Sequence, residues 1–196
     1  ADNLTCLLVR VVDPGAMSSG DEGHLSTRLP VPALLSPGQV FDGYRVLREL
    51  HASNRTQIYL VAPEGSEERM ILKAPSPSFA DDPDVIDAFN REIWVASMID
   101  NPHVMRAVHP QRERRALYYT AEYIEGQTLR QWIRDHPNPD LATVRSLADQ
   151  LVKAIRGFHR KQFAHLDVKP NNIMIDGGGT LKIIDFGSAT PMGSAN

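Results

Sequence analysis

Two textures of apolar and polar positions divide this chain. Leu4 to Val12 is an apolar, β-branched run that stops at Asp13-Pro14-Gly15, predicting a buried strand closed by a turn. Residues 13 to 38 then hold Gly15, Ser18, Ser19, Gly20, Gly23, Pro30, Pro32, Pro37 and Gly38 with few large apolar side chains, the composition of a linker over 14–40. From Phe41 the pattern becomes that of a folded domain. Tyr44 to Leu50 and Ile58 to Val61 predict two strands around the polar turn His51 to Gln57, and Met70 to Ala74 a third. Asp82-Pro83 supplies a helix N-cap with proline at the first helical position, and the helix runs to about Ile99, before Asn101-Pro102. Val85, Phe89, Ala96 and Ile99 form its inward stripe.

Val104 to Val108 and Ala116 to Glu122 predict a hairpin with Arg112 to Arg115 at its turn. Tyr123 to Gly126 is a short connector, and Thr128 caps a helix through about Arg134. A longer helix spans about Leu141 to Arg160, with Leu147, Leu151, Ile155 and Phe158 on one face. Strands and one helix followed mainly by helices predict an α+β fold in two lobes: a smaller one over about 41–122, and the start of a larger one over about 123–196.

Composition narrows the picture modestly. The chain has 196 residues, 42% of them hydrophobic, enough for one globular core of ordinary size. A net charge of −3 gives no basic face for nucleic acid, and the Arg112–Arg115 cluster reads as a solvated loop. The single cysteine, Cys6, excludes an internal disulfide framework and fits a reducing cytoplasm. No apolar run reaches the roughly 18 residues of a membrane span, and no signal peptide is present. Both ends look cut, with a strand starting almost at Ala1 and the chain stopping soon after Asp185, so an excerpt of a longer polypeptide is expected.

The chemistry gathers at His165-Leu166-Asp167-Val168-Lys169-Pro170-Asn171-Asn172 and at Asp185-Phe186-Gly187, each beside apolar runs. An acid, a lysine and an amide within six residues, with a second acid after the next strand, are the groups that handle a divalent cation and a triphosphate. Glu92 falls inside an apolar helical stripe and Lys73 inside an apolar strand. Each is costly to bury alone, so the economical arrangement is that they meet.

These residues carry a resemblance: from Phe41 onward the chain resembles a eukaryotic-type serine/threonine protein kinase. Ile71-Leu72-Lys73 matches the lysine strand, Glu92 the helix partner, Glu122 to Ile124 the adenine-facing hinge, and Thr120 the residue guarding the pocket behind it. His165-Leu166-Asp167 matches the catalytic-loop triplet and Asp185-Phe186-Gly187 the magnesium loop. The resemblance implies ATP and Mg2+ as cofactors and a protein serine or threonine hydroxyl as acceptor. Lys73 then holds the α- and β-phosphates, Asn172 and Asp185 the metal, Asp167 orients or accepts the hydroxyl proton, and Lys169 neutralises the γ-phosphate.

Three departures accompany it. The glycine-rich turn over the phosphates falls on His51, Ser53 and Thr56, which weakens close backbone approach, with Ser53, Thr56 or Arg55 as compensating phosphate contacts. Leu166 stands where an arginine usually pairs with an activation-loop phosphate, so control by that route is not expected. The chain also ends before an activation segment and the remaining helices of the larger lobe, which predicts little peptide phosphorylation by this piece alone and apolar surface left on its long helix.

Asp2-Asn3 before a Thr-containing strand resembles the last strand of type-2C protein phosphatases. With the linker it suggests a bacterial bifunctional phosphatase–kinase parent; whether that parent is membrane-anchored beyond the C-terminus is not legible in the sequence. One carboxylate cannot by itself hold a hard cation, so no phosphatase activity is expected of residues 1–13. Two alternatives to a kinase stand beside it: a nucleotide-binding regulatory pseudokinase, and a small-molecule phosphotransferase of the aminoglycoside type. The protein substrate, the activating signal and the oligomeric state are not legible in the sequence.

Overall fold

The structure is a computed structural model that describes residues 29–110 and 112–193. The strand expected over residues 4–12, Asp2 and the first half of the linker lie outside the described residues.

The smaller lobe is a six-stranded antiparallel sheet in the order β1-β2-β3-β4-β6-β5, where β1 is Val40–Phe41, β2 Tyr44–Ala52, β3 Thr56–Pro63, β4 Met70–Pro75, β5 Ala107–Val108 and β6 Tyr119–Glu122. Helix α1 (Pro83–Met98) packs on β4. It begins where expected because the Asp82 carboxylate accepts from the amides of Asp84 and Val85, and Pro83 has no amide to leave unpaired. Its buried stripe is Phe89, Glu92, Val95 and Ala96; Val95 replaces the expected Val85, which is only half-buried.

The start of the larger lobe contains β7 (Gly126–Thr128), α2 (Leu129–Asp135), α3 (Leu141–Arg160), β8 (Phe163–Ala164), β9 (Ile173–Asp176), β10 (Leu181–Ile183) and β11 (Thr190–Pro191). A capping box between Thr128 and Gln131 starts α2, and Asp140 accepts from the Thr143 amide to start α3. On α3, Ala154, Gly157 and Phe158 are buried, Leu147, Leu151 and Ile155 flank the core, and Val144 and Val152 stay exposed. Gly157 is dictated by packing: a Cβ there would sit 2.6 Å from the Asn101 amide nitrogen, which donates to the Lys153 carbonyl.

One apolar cluster runs through both lobes. Phe89, Val95 and Tyr119 from the sheet side meet Phe158, Phe163, Ile183 and Phe186 from the other. The segment after α1 is stitched to β10 by Met105 N to Ile183 O and Ile183 N to His103 O. The lobes are therefore joined by a shared core as well as by the connector.

Two sequence readings are corrected. Residues 29–39 have the loop geometry that linker composition predicts, yet they are not detached: Leu35 is buried in the sheet's second core, Leu29 and Val31 pack on the first, and the Pro30 carbonyl accepts from the Leu117 amide. Three apolar side chains spaced among prolines are too sparse to register as an element, but each finds an existing hydrophobic surface. The Arg112–Arg115 turn is likewise only partly solvated. Arg114 donates to the Tyr118 carbonyl, and the Arg115 amide and the Tyr118 hydroxyl both reach the Asp42 carboxylate.

Candidate active site

Lys73, Glu92, Asp167 and Lys169, singled out in the sequence, fall with Asn172 and Asp185 into two hydrogen-bonded units between the lobes. Lys73 on β4 and Glu92 on α1 are both buried, at 8% and 4% exposure, and their Nζ–Oε1 distance is 2.5 Å. Lys73 Nζ also lies 3.4 Å from Asp185 Oδ1, so one ammonium bridges the helix and the loop after β10. Burial pulls the Lys73 pKa down, but the charges of Glu92 and Asp185 and their hydrogen bonds outweigh it and hold the ammonium above its ordinary value. Lys73 is therefore charged throughout the neutral range.

The catalytic loop is a second hydrogen-bonded unit. Lys169 Nζ donates to Asp167 Oδ2 at 2.6 Å, and Asn172 Nδ2 donates to the same oxygen at 2.9 Å and to the Asp167 carbonyl at 3.1 Å. Lys169's hydrogen bond is the largest influence on Asp167 and holds its carboxyl below the usual range, so the group is ionised at neutral pH. His165 is a strut between the two units. Its Nδ1 accepts from the Asp167 amide at 3.3 Å and its Nε2 donates to the Asp185 carbonyl at 2.6 Å, while its ring lies edge-on to Phe158 at 5.0 Å. Phe186 is buried in the shared core beside Phe158, which fixes Asp185 facing Lys73.

The loop also holds a strain that the sequence did not signal. Leu166 has φ of +60° with its side chain 71% exposed, in a tight turn closed by Asp167 N to His165 O at 2.9 Å. A left-handed apolar residue costs about 1–3 kcal/mol and persists because His165 and Asp167 are pinned on either side.

Asn172 spends its amide nitrogen on Asp167, which leaves its side-chain oxygen for another donor or a cation, and the Asp185 carboxylate accepts from Lys73 and from the Gly187 amide. These are hard oxygen donors. Among the described residues no three His, Cys, Asp or Glu side chains form a protein-only metal cage. One carboxylate and one amide oxygen suit a hard divalent cation that takes its remaining oxygens from phosphate and water.

The expected nucleotide contacts are placed differently. Cross-strand pairing sets Lys73 opposite Tyr119, Leu72 opposite Thr120 and Ile71 opposite Ala121. Because side chains alternate, Tyr119 and Ala121 share the cleft face with Lys73 and Ile71. Thr120 is thus corrected: it lies on the opposite face, 1% exposed, with its hydroxyl donating to the Val108 carbonyl at 2.9 Å. The residue of this segment on the Lys73 face next to Glu122 is Ala121. Thr120→Val is expected to leave nucleotide affinity unchanged while costing about 1 kcal/mol of stability for the unsatisfied Val108 carbonyl, as read by ATP titration and thermal melting.

The Glu122 carboxylate is held by Lys182 Nζ at 2.6 and 2.7 Å and by the Arg106 amide at 2.8 Å, so this side chain is already committed within the protein. In the β2–β3 turn, Ser53 Oγ accepts from the amides of Arg55 and Thr56 and lies 3.1 Å from Thr56 Oγ1. The hydroxyls expected to compensate for missing glycines are instead bonded to the turn itself. No residue of that turn has positive φ, which explains how it closes without glycine.

Comparison with known proteins agrees with this geometry. The protein kinase domain family model matches residues 44–196. The chain is similar to the serine/threonine-protein kinase PrkC of Bacillus subtilis, 32% identical over 155 residues, which cover 77% of this chain and 23% of PrkC. It is also similar to a probable serine/threonine-protein kinase PknB of Lactococcus lactis, 25% identical over 160 residues, covering 80% of this chain and 25% of that protein. The crystal structure of the Mycobacterium tuberculosis PknI kinase domain superposes with a TM-score of 0.62 at 28% identity, over 80% of this chain and 64% of the PknI chain. The chain thus spans about a quarter of the length of the curated relatives it matches.

Proposed function

The chain belongs to the protein kinase domain family, and from that premise we propose that it carries the catalytic centre of a magnesium-dependent serine/threonine protein kinase. The observation that supports this most is the meeting, in one cleft, of the Lys73–Glu92–Asp185 chain with the Asp167–Lys169–Asn172 unit. Phosphoryl transfer asks little covalent chemistry of a protein and much positioning and charge neutralisation, which these two units supply.

In this reading the main chain of Glu122 to Ile124 orients adenine, and Lys73, steadied by Glu92, holds the α- and β-phosphates. Asp185 and Asn172 would hold magnesium, which would supply neutralisation of phosphate charge. The acceptor hydroxyl oxygen forms a bond to the γ-phosphorus as the bond to the bridging oxygen of ADP breaks. Asp167 takes the hydroxyl proton, and Lys169 faces the charge on the transferring group. Protein substrates bearing serine or threonine and a cytoplasmic setting belong to the same proposal. So does a parent in which a phosphatase-like unit precedes a kinase unit. Among the described residues no helix is long and apolar enough to cross a membrane.

The test is transfer of labelled phosphate from ATP to serine and threonine of protein acceptors by the full-length polypeptide, with and without magnesium. Metal-dependent phosphoserine or phosphothreonine is expected. Tight ATP binding with no transfer to any acceptor would overturn the enzyme reading in favour of a regulatory nucleotide-binding module, whose physical motive is the glycine-free roof.

A further inference from the structure

We infer that Tyr119 is a positioning residue that fixes Glu92, and through it the Lys73 ammonium, from within the smaller lobe; this rests on the kinase reading above. Tyr119 sits directly across from Lys73 in the β4–β6 pair, on the same face of the sheet. Its hydroxyl donates to Glu92 Oε1 at 2.7 Å, the same oxygen that receives Lys73 Nζ. Its ring lies 5.8 Å from that of Phe89, which precedes Glu92 by three residues on the same face of α1. Ring and hydroxyl together therefore grip two successive turns of the helix, and the residue is 5% exposed.

Glutamate is a flexible side chain, and a single ion pair leaves it several rotamers. A second donor on the same oxygen selects one of them and so sets where the ammonium stands. Burial first, and the charge of Glu92 next, push the Tyr119 hydroxyl well above its ordinary pKa, so it remains a donor wherever the protein is folded. From the other lobe Asp185 reaches the ammonium but not Glu92, so the second donor on the Glu92 oxygen comes from the sheet. Leu166, in the catalytic loop, is apolar and exposed and cannot draw in a phosphate to order the site. The pair is assembled by the sheet that carries Lys73.

Tyr119→Phe keeps the ring and its packing on Phe89 and removes only the donor. In the full-length polypeptide, phosphate transfer is expected to fall about tenfold and the Kd for magnesium–ATP to rise about threefold or more, the scale of one hydrogen bond to a charged group. The decisive comparison is the same substitution in a Glu92→Leu background, where the hydroxyl has nothing to position: there it should cause no further loss of affinity or rate. A merely structural role would give the same proportional loss in both backgrounds and would overturn the proposal, as would a Tyr119→Phe protein with wild-type rate and affinity. If Glu92→Leu does not fold, Lys73→Met provides the same comparison through nucleotide affinity. If wild type transfers no phosphate, the kinase reading fails, while the affinity comparison still decides the role of Tyr119.

Discussion

Lys73→Met is expected to lower phosphate transfer by about 10²–10³-fold, the scale on which removal of one preorganised charge donor is felt at a transferring group. It should also destabilise the fold. Glu92 is 4% exposed, and deleting one member of a buried ion pair costs about 3–5 kcal/mol because the other charge is left in low dielectric. Thermal melting and a phosphate-transfer assay on the same sample measure both losses. The double substitution Lys73→Met with Glu92→Leu separates them: two apolar side chains can fill the site, so stability is expected to return while transfer stays lost. The pH dependence has a definite sign. The Lys73 pKa is raised in the folded state, so its contribution is fully present below the ordinary lysine value of 10.5 and is lost as pH rises through the folded value. The stability gap between wild type and Lys73→Met should therefore be flat through neutrality and narrow only in strong alkali.

Asp167→Asn is expected to reduce transfer by about 10²–10⁴-fold, as removal of a general base does, with little change in melting temperature. The amide oxygen of asparagine can still accept from Lys169 or Asn172, so the loop keeps its shape and loses only its proton acceptor. Lys169 tunes this group. Its hydrogen bond is the first cause of the low Asp167 pKa, so Lys169→Ala should let that pKa climb. The acid limb of the pH profile of kcat/KM is expected to move to higher pH in that variant. An unmoved limb would mean that Lys169 does not set the ionisation of Asp167.

Much of this site can be read from the chain because its parts are local. His165 to Asn172 is a single loop whose members bond to one another over two to five residues, and the type and spacing of those residues carry the information. The Lys73–Glu92 pair is legible for another reason. A charge in an apolar strand and an opposite charge in an apolar helical stripe each demand a partner, and the chain offers few. The helix starts are legible because Asp82-Pro83, Thr128 and Asp140 act on amides two or three residues away.

The misses are non-local. Whether Thr120 or its neighbours face the cleft depends on the register of β6 against β4, and a one-residue difference moves every side chain to the other face. Two tyrosines, Tyr118 and Tyr119, stand together with nothing in the sequence to say which reaches Glu92; the one on the cleft face does, and the other bonds Asp42. Leu35 reads as linker because its burial depends on a sheet that forms well after it in the chain.

By itself, the sequence determined the two-lobed α+β order, the helix boundaries and the residues of the catalytic loop, since capping, periodicity and loop hydrogen bonds act within a few residues. Only the tertiary structure decided which face of β6 lines the cleft, that Tyr119 holds the Lys73–Glu92 pair, and that the glycine-free turn closes on its own hydroxyls. Each of these depends on strand register or on contacts between segments distant in the chain, and no pattern local to one segment encodes them.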